Sequence, residues 1–175
     1  MKDKIIRLEG ILAQSLRSGY SFEITENSKG VFVVWCKLIS PLDIRAMANA
    51  IKTLEGRLST ITAYQLKQSL PSEDYEIAYH FDLFGATINV TVQLVAGNNK
   101  IYSLTPIFRN ADWNEREFME LYDIDVIDHP NPQRLFIDET IESSVLQRYI
   151  PYSAMVNAAS TKTLWENIMH SRGLD

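Results

Sequence analysis

Acidic side chains crowd one short stretch of this protein: Asp112, Glu115, Glu117 and Glu120 surround Arg116, and the loop after them carries Asp123, Asp125, Asp128 and His129. Two neighbouring carboxylates are what general acid–base chemistry requires. Glu115 and Glu117, however, stand two apart on a predicted helix. They point to different sides and cannot readily converge on one substrate atom. Compensation of the helix dipole and ion pairing is the preferred reading of these acids. Arg116 presents a planar fork of donors that can grip an acceptor in two places, and Glu120 lies at i+4 on the same face. The expectation is that Arg116 and Glu117 make ion pairs that hold the helix to the following loop or to a partner. The aspartates and His129 offer oxygen and nitrogen ligands, but they lack the glycine and the closing glutamate of a calcium loop, and their spacing matches no established metal site. His129-Pro130-Asn131-Pro132 reads instead as a rigid corner, because each proline fixes its own φ and pushes the preceding residue toward extended geometry. His129 is then expected to donate to a backbone carbonyl or to an acid.

The rest of the sequence offers little further chemistry. It contains no glycine-rich phosphate loop, no G-x-S-x-G and no HExxH. Its single cysteine, Cys36, cannot form an internal disulfide, an iron–sulfur site or a four-cysteine zinc site by itself. His80 sits within a strand pattern as a half-buried spacer. Trp35, Trp113 and Trp165 read as anchors of core or interface.

Several elements must position the acidic stretch. Asp112 is placed to cap a helix and Glu115, three residues on, to complete a capping box, while Phe118, Leu121 and Tyr122 form an apolar stripe. Upstream, Ile5, Leu8, Ile11, Leu12 and Leu16 predict an amphipathic first helix ended by Gly19. Tyr20 to Ile24 and VFVVWCKLI then predict a hairpin around NSKG, its second strand central and buried on both faces. Ser40-Pro41 starts a helix that runs to Gly56. After a short extended segment at Ile61 to Ala63 and a polar loop, YEIAYHFDLF, TINVTVQLVA and IYSLTPIF predict three further strands. The fold class is α+β, two-layered, with a mixed sheet of about five strands and helices on one face, in the order helix, two strands, helix, three strands. Residues 138–175 form a helical extension to a domain at 1–137. Ile141 to Tyr149 and Thr161 to His170 read as its helices.

In 175 residues, 46% of them apolar, there is material for one core. A net charge of −5, with the 17 basic residues dispersed, gives no footprint for nucleic acid. No apolar run is long enough to span a bilayer, and the charged opening MKDKIIRLEG is unlike a signal peptide. The expected location is cytoplasmic, with membrane contact only through partners.

Taken together, Trp113, Glu115-Arg116-Glu117, Glu120-Leu121-Tyr122, Ile124, His129-Pro130, Arg134 and Leu135 resemble the signature of the 30 kDa subunit of respiratory complex I, the NADH-quinone oxidoreductase. That family includes related subunits of energy-converting hydrogenases. The resemblance covers residues 5 to 137. The sequence departs from the signature where Asp123 and Asp128 stand at glycine positions and Gln133 replaces the first arginine of a basic pair. Aspartate is among the few residues that tolerate φ > 0, so the fold can survive these changes. The altered charge and the tail lean toward the hydrogenase branch. The resemblance implies a structural subunit that binds no cofactor and docks beside the large catalytic subunit and the iron–sulfur subunits, peripheral on the cytoplasmic face of the membrane. Trp113, Glu115, Arg116, Glu117, Glu120, His129, Pro130 and Arg134 are its candidate partner-binding residues. A stand-alone binding or regulatory domain is the competing class. An independent hydrolase or metal enzyme using Glu115, Glu117 and His129 ranks last.

Overall fold

The structure, a computed structural model, describes residues 2–66, 74–95 and 97–136. The predicted tail helices, most of the polar loop after Leu66, Trp165 and His170 lie outside the described residues.

Helix α1 (Lys2–Ser15) buries Ile5, Leu8 and Leu12, one stripe at helical spacing. It stops at Ser15, earlier than its sequence signals suggest, and Gly19 instead leads into β1. A Cβ at Gly19 would lie 2.9 Å from the Ile39 side chain, so the glycine is needed for close approach and not as a helix cap. Strands β1 (Tyr20–Glu26) and β2 (Phe32–Leu38) form the expected antiparallel hairpin. In its turn the Asn27 side chain accepts from the N–H groups of Lys29 and Val31, and Gly30 takes φ 73°.

β2 does lie inside the sheet, but it is buried on one face only. Val34, Cys36 and Leu38 point into the core, while Trp35 is 51% exposed and Lys37 faces solvent. The apolar run hid this alternation because tryptophan and valine suit an exposed pleated surface as well as a buried one.

Ser40 accepts from Leu42 N at 3.3 Å and opens a single 3₁₀ turn, Pro41–Asp43, that leads into α2 (Ile44–Thr53). Buried Asp43 reaches back to the α1–β1 connection, where it accepts from Ser18 N (2.9 Å) and Arg17 N (3.4 Å). Three long strands follow: β3 (Arg57–Gln65), β4 (Tyr75–Leu83) and β5 (Ala86–Leu94). Phe84 and Gly85, with φ 54° and 87°, turn β4 into β5.

The five-stranded sheet has the order β1-β2-β5-β4-β3, with β2 and β5 parallel and every other pair antiparallel. One face of it, including Val34, Tyr79, Phe81, Ile88 and Val90, packs with Ile5 and Leu8 of α1 and with Met47 and Ile51 of α2. Leaving water is worth about 1.5–3 kcal/mol for each such side group. The alternate residues Trp35, Thr87 and Gln93 stay outside, so the helices cover one face, as the patterning requires.

The strand count holds, but its membership differs. Ile61 belongs to a nine-residue strand, β3. IYSLTPIF supplies only β6 (Lys100–Tyr102), which pairs in parallel with β7 (Asp125–Ile127) in a separate two-stranded sheet. Between β6 and β7 lies α3 (Ala111–Tyr122), the helix that carries the acidic stretch.

Candidate functional site

Helix α3 begins at Ala111, and its N-cap, Asn110, makes no side-chain cap bond. Asp112 is therefore not the cap, and Glu115 closes no capping box. The first amides of the helix are already taken: Ala111 N donates to Phe108 O (2.9 Å) and Asp112 N to Arg109 O (3.4 Å), because the preceding segment winds into the helix through turns. The Asn110 amide is free to reach across to Leu58 O, 2.9 Å away on β3.

Released from capping, Glu115 turns inward beside the apolar stripe and not away from it, and is 1% exposed. Its carboxylate accepts from Leu104 N (2.5 Å), Ser103 Oγ (2.6 Å) and Thr105 Oγ1 (2.8 Å). A buried charge is tolerable only with such a complement of donors. His129, its side chain also 1% exposed, completes the cluster, with Nε2 3.5 Å from Glu115 Oε2 and 3.6 Å from Asp112 Oδ1. Its Nδ1 accepts from Asn131 N at 3.1 Å, so the proton of the neutral ring sits on Nε2 and points at the two acids. The expectation that His129 donates to an acid thus holds. Pro130, exposed, forms the outer side of the same corner. Fully buried Tyr79 lies close enough to feel Glu115. Burial first, and that negative charge second, hold its hydroxyl pKa well above the ordinary 10.0, and the hydroxyl has no hydrogen-bond partner among the described residues.

Arg116 does hold the helix to the following loop, but through carbonyls more than through ions. Its Nε donates to Gln133 O and one terminal nitrogen to Arg134 O, both at 2.7 Å, while its nearest carboxylate is Asp112 at 3.7 Å. Glu120 is buried and accepts from Leu135 N (3.0 Å) and Phe136 N (2.9 Å). The pairing of Arg116 with Glu120 inferred from i+4 spacing is replaced by two separate grips on the 133–136 segment, since backbone groups there come closer than either side chain does to the other. Glu117 faces another way, onto a groove beside β3, and makes no ion pair with any described residue. Trp113 is 67% exposed, the position of an interface anchor and not of a core one.

The substituted loop aspartates adopt the geometry that glycine would allow, with φ 53° at Asp123 and 59° at Asp128. Asp125 pairs with Lys100 (3.0 Å) and Asp128 with Arg45 (2.8 Å), and Arg45 also donates to Ser103 O and stacks over Tyr102. Sequence reading missed Ser103, Thr105, Tyr79 and Arg45. The one available signal was a serine and a threonine interrupting the apolar run of IYSLTPIF.

The acids and the imidazole do come together, but sealed from solvent. Neither the groove of about 350 Å³ beside β3 nor the cleft of about 530 Å³ between the α1–β1 connection and α2 is lined by Glu115 or His129. The geometry is that of a joint: α3, the β6 end and the His-Pro corner meet on one buried carboxylate.

A mixed sheet with helices on one face, and a signature helix keyed into it by a buried glutamate, define a class of two-layer α+β subunit domains. The chain belongs to the family of the respiratory-chain NADH dehydrogenase 30 Kd subunit, which matches residues 38–156. It is 30% identical over 146 residues to the C/D subunit of NADH-quinone oxidoreductase from Erwinia tasmaniensis, covering 77% of this chain and 24% of that protein. The corresponding protein of Salmonella arizonae is 25% identical with the same coverage. The chain thus spans about a quarter of the length of these relatives. Among solved structures, the fold is similar to the trypsin-resistant fragment (1-134) of Nqo5, with TM-score 0.54 and 20% identity over 73% of this chain and 98% of that one. It is also similar to part of the membrane-bound sulfane sulfur reductase, an archaeal respiratory membrane complex, with TM-score 0.60 and 13% identity over 86% of this chain and 84% of that one. No helix among the described residues is long and apolar enough to cross a membrane.

Proposed function

We propose that this chain is a structural subunit of a complex I-like, membrane-associated oxidoreductase, of the NADH-quinone oxidoreductase or energy-converting hydrogenase type. It docks beside the large catalytic subunit, binds no redox centre of its own and helps hold the electron-transfer arm together. The observation that carries this reading is the family match across residues 38–156, which contains the whole joint built on Glu115 and His129. The names of the C/D relatives support it: there a C portion and a D portion share one polypeptide, and the match takes up only 24% of that length. Exposed Trp113 beside a rigid, internally satisfied joint suits a docking element. The location follows as peripheral, on the cytoplasmic face, reached through partners.

Affinity purification of the tagged full chain from native membranes in mild detergent tests the proposal. The large subunit and iron–sulfur subunits should come with it, and their identity decides between the two types of complex. The chain alone should transfer no electrons. Recovery of the chain free of any redox subunit would favour the stand-alone binding domain instead.

A further inference from the structure

Strand β3 closes one end of the sheet, and its outer row of N–H and C=O groups has no hydrogen-bond partner among the described residues except at Leu58, whose carbonyl takes the Asn110 amide. Sheets commonly blunt such an edge with lysine, proline or a covering element. Beyond Arg57 this strand reads LSTITAYQ, with neither a charge nor a proline. The opposite edge, β1, carries Glu23 and Glu26.

Helix α3 runs alongside β3 but leaves between them the groove of about 350 Å³. Thr60, Ile61, Thr62 and Ala63 all line it. Successive residues of a strand point to opposite faces, so a groove that touches four in a row follows the strand's edge and not one of its faces. Its far wall includes apolar Leu121 and the half-buried Glu117, whose carboxylate has no partner among the described residues.

We propose that this groove receives an extended segment of the large partner subunit, which adds to β3 as a further strand and places a lysine or arginine against Glu117. The source of the segment rests on the function proposed above. The geometry of the site is independent of it. Main-chain bonds along Thr60 to Ala63 supply the attachment, one face of the added strand lies on Leu121, and Glu117 selects the cation. A second copy of this chain does not fit, because its own edge, free of lysine and arginine beyond Arg57, brings no positive charge to Glu117.

Hydrogen exchange of the full chain, alone and within the complex purified from membranes, tests the proposal. In the complex the amides of Thr60 to Ala63 should exchange roughly ten-fold more slowly or better, while those of β1 stay unchanged. Glu117→Lys should lower the amount retained in the complex by roughly five-fold or more and leave the melting temperature unmoved. Equal exchange of β3 in the two preparations, or full retention of the variant, overturns the strand addition. If redox subunits come down with the chain while β3 stays open, only this inference falls. If the chain purifies alone, the subunit reading falls with it.

Discussion

Glu115 Oε2 lies 3.5 Å from His129 Nε2, and both side chains are 1% exposed. The contact joins the first half of α3 to the His-Pro corner that follows β7, and it makes one carboxylate the meeting point of three segments far apart in sequence. Buried this way, the pair holds structure together and meets no substrate.

Glu115→Ala leaves Leu104 N–H and the Ser103 and Thr105 hydroxyls without their acceptor. The expected loss is about 3–5 kcal/mol, the usual cost of removing one partner from a buried charged network. Urea denaturation measures it through a lower midpoint at unchanged slope. A loss under about 1 kcal/mol would show that the network does not hold the joint.

Arg116→Lys keeps the charge but loses the fork that reaches two successive carbonyls. The 133–136 segment should become more susceptible to limited proteolysis, with a stability loss of about 1–2 kcal/mol. Retention of both native stability and native assembly in Arg116→Ala would remove the residue from the joint altogether.

Trp113→Ala should separate docking from folding. The side chain is 67% exposed, so stability should change by no more than about 0.5 kcal/mol, while co-purification with the large subunit drops. An unchanged yield of complex would place the interface elsewhere.

Burial pushes the Cys36 thiol from 9.0 up to about 12. The fold therefore favours the neutral thiol: its stabilising contribution is complete below pH 9, where the unfolded thiol is also neutral, and is lost as pH rises toward 12. Unfolding measured between about pH 8 and 11 should show stability falling with pH, with a shallower slope in Cys36→Ala. Identical slopes would mean that the thiol is not sequestered. Tyr79, shifted in the same direction, contributes to the slope that remains.

Much of the fold was legible in the sequence because it depends on periodicity. The stripe of Ile5, Leu8 and Leu12, the turn at Asn27 to Gly30 and the alternation of Ile88, Val90 and Val92 each follow from local chemistry and appear as expected. The family signature was legible too, as was the tolerance of Asp123 and Asp128 for φ > 0. Strand membership was less so: whether an apolar run joins the main sheet or, like Lys100–Tyr102, pairs with a distant three-residue strand depends on partners the run does not contain.

By itself, the sequence determined the α+β class, the one-sided sheet and the residues that mark the family, because composition and spacing act within a few residues of one another. Only the tertiary structure decided what those residues do. Glu115 looked like half of a helix cap and is a buried acceptor, since the turns before Ala111 satisfy the helix amides and free it to face Ser103, Thr105 and His129. Side chains bond to whatever the fold brings nearest, and that proximity is a property of the packed molecule and not of spacing along it.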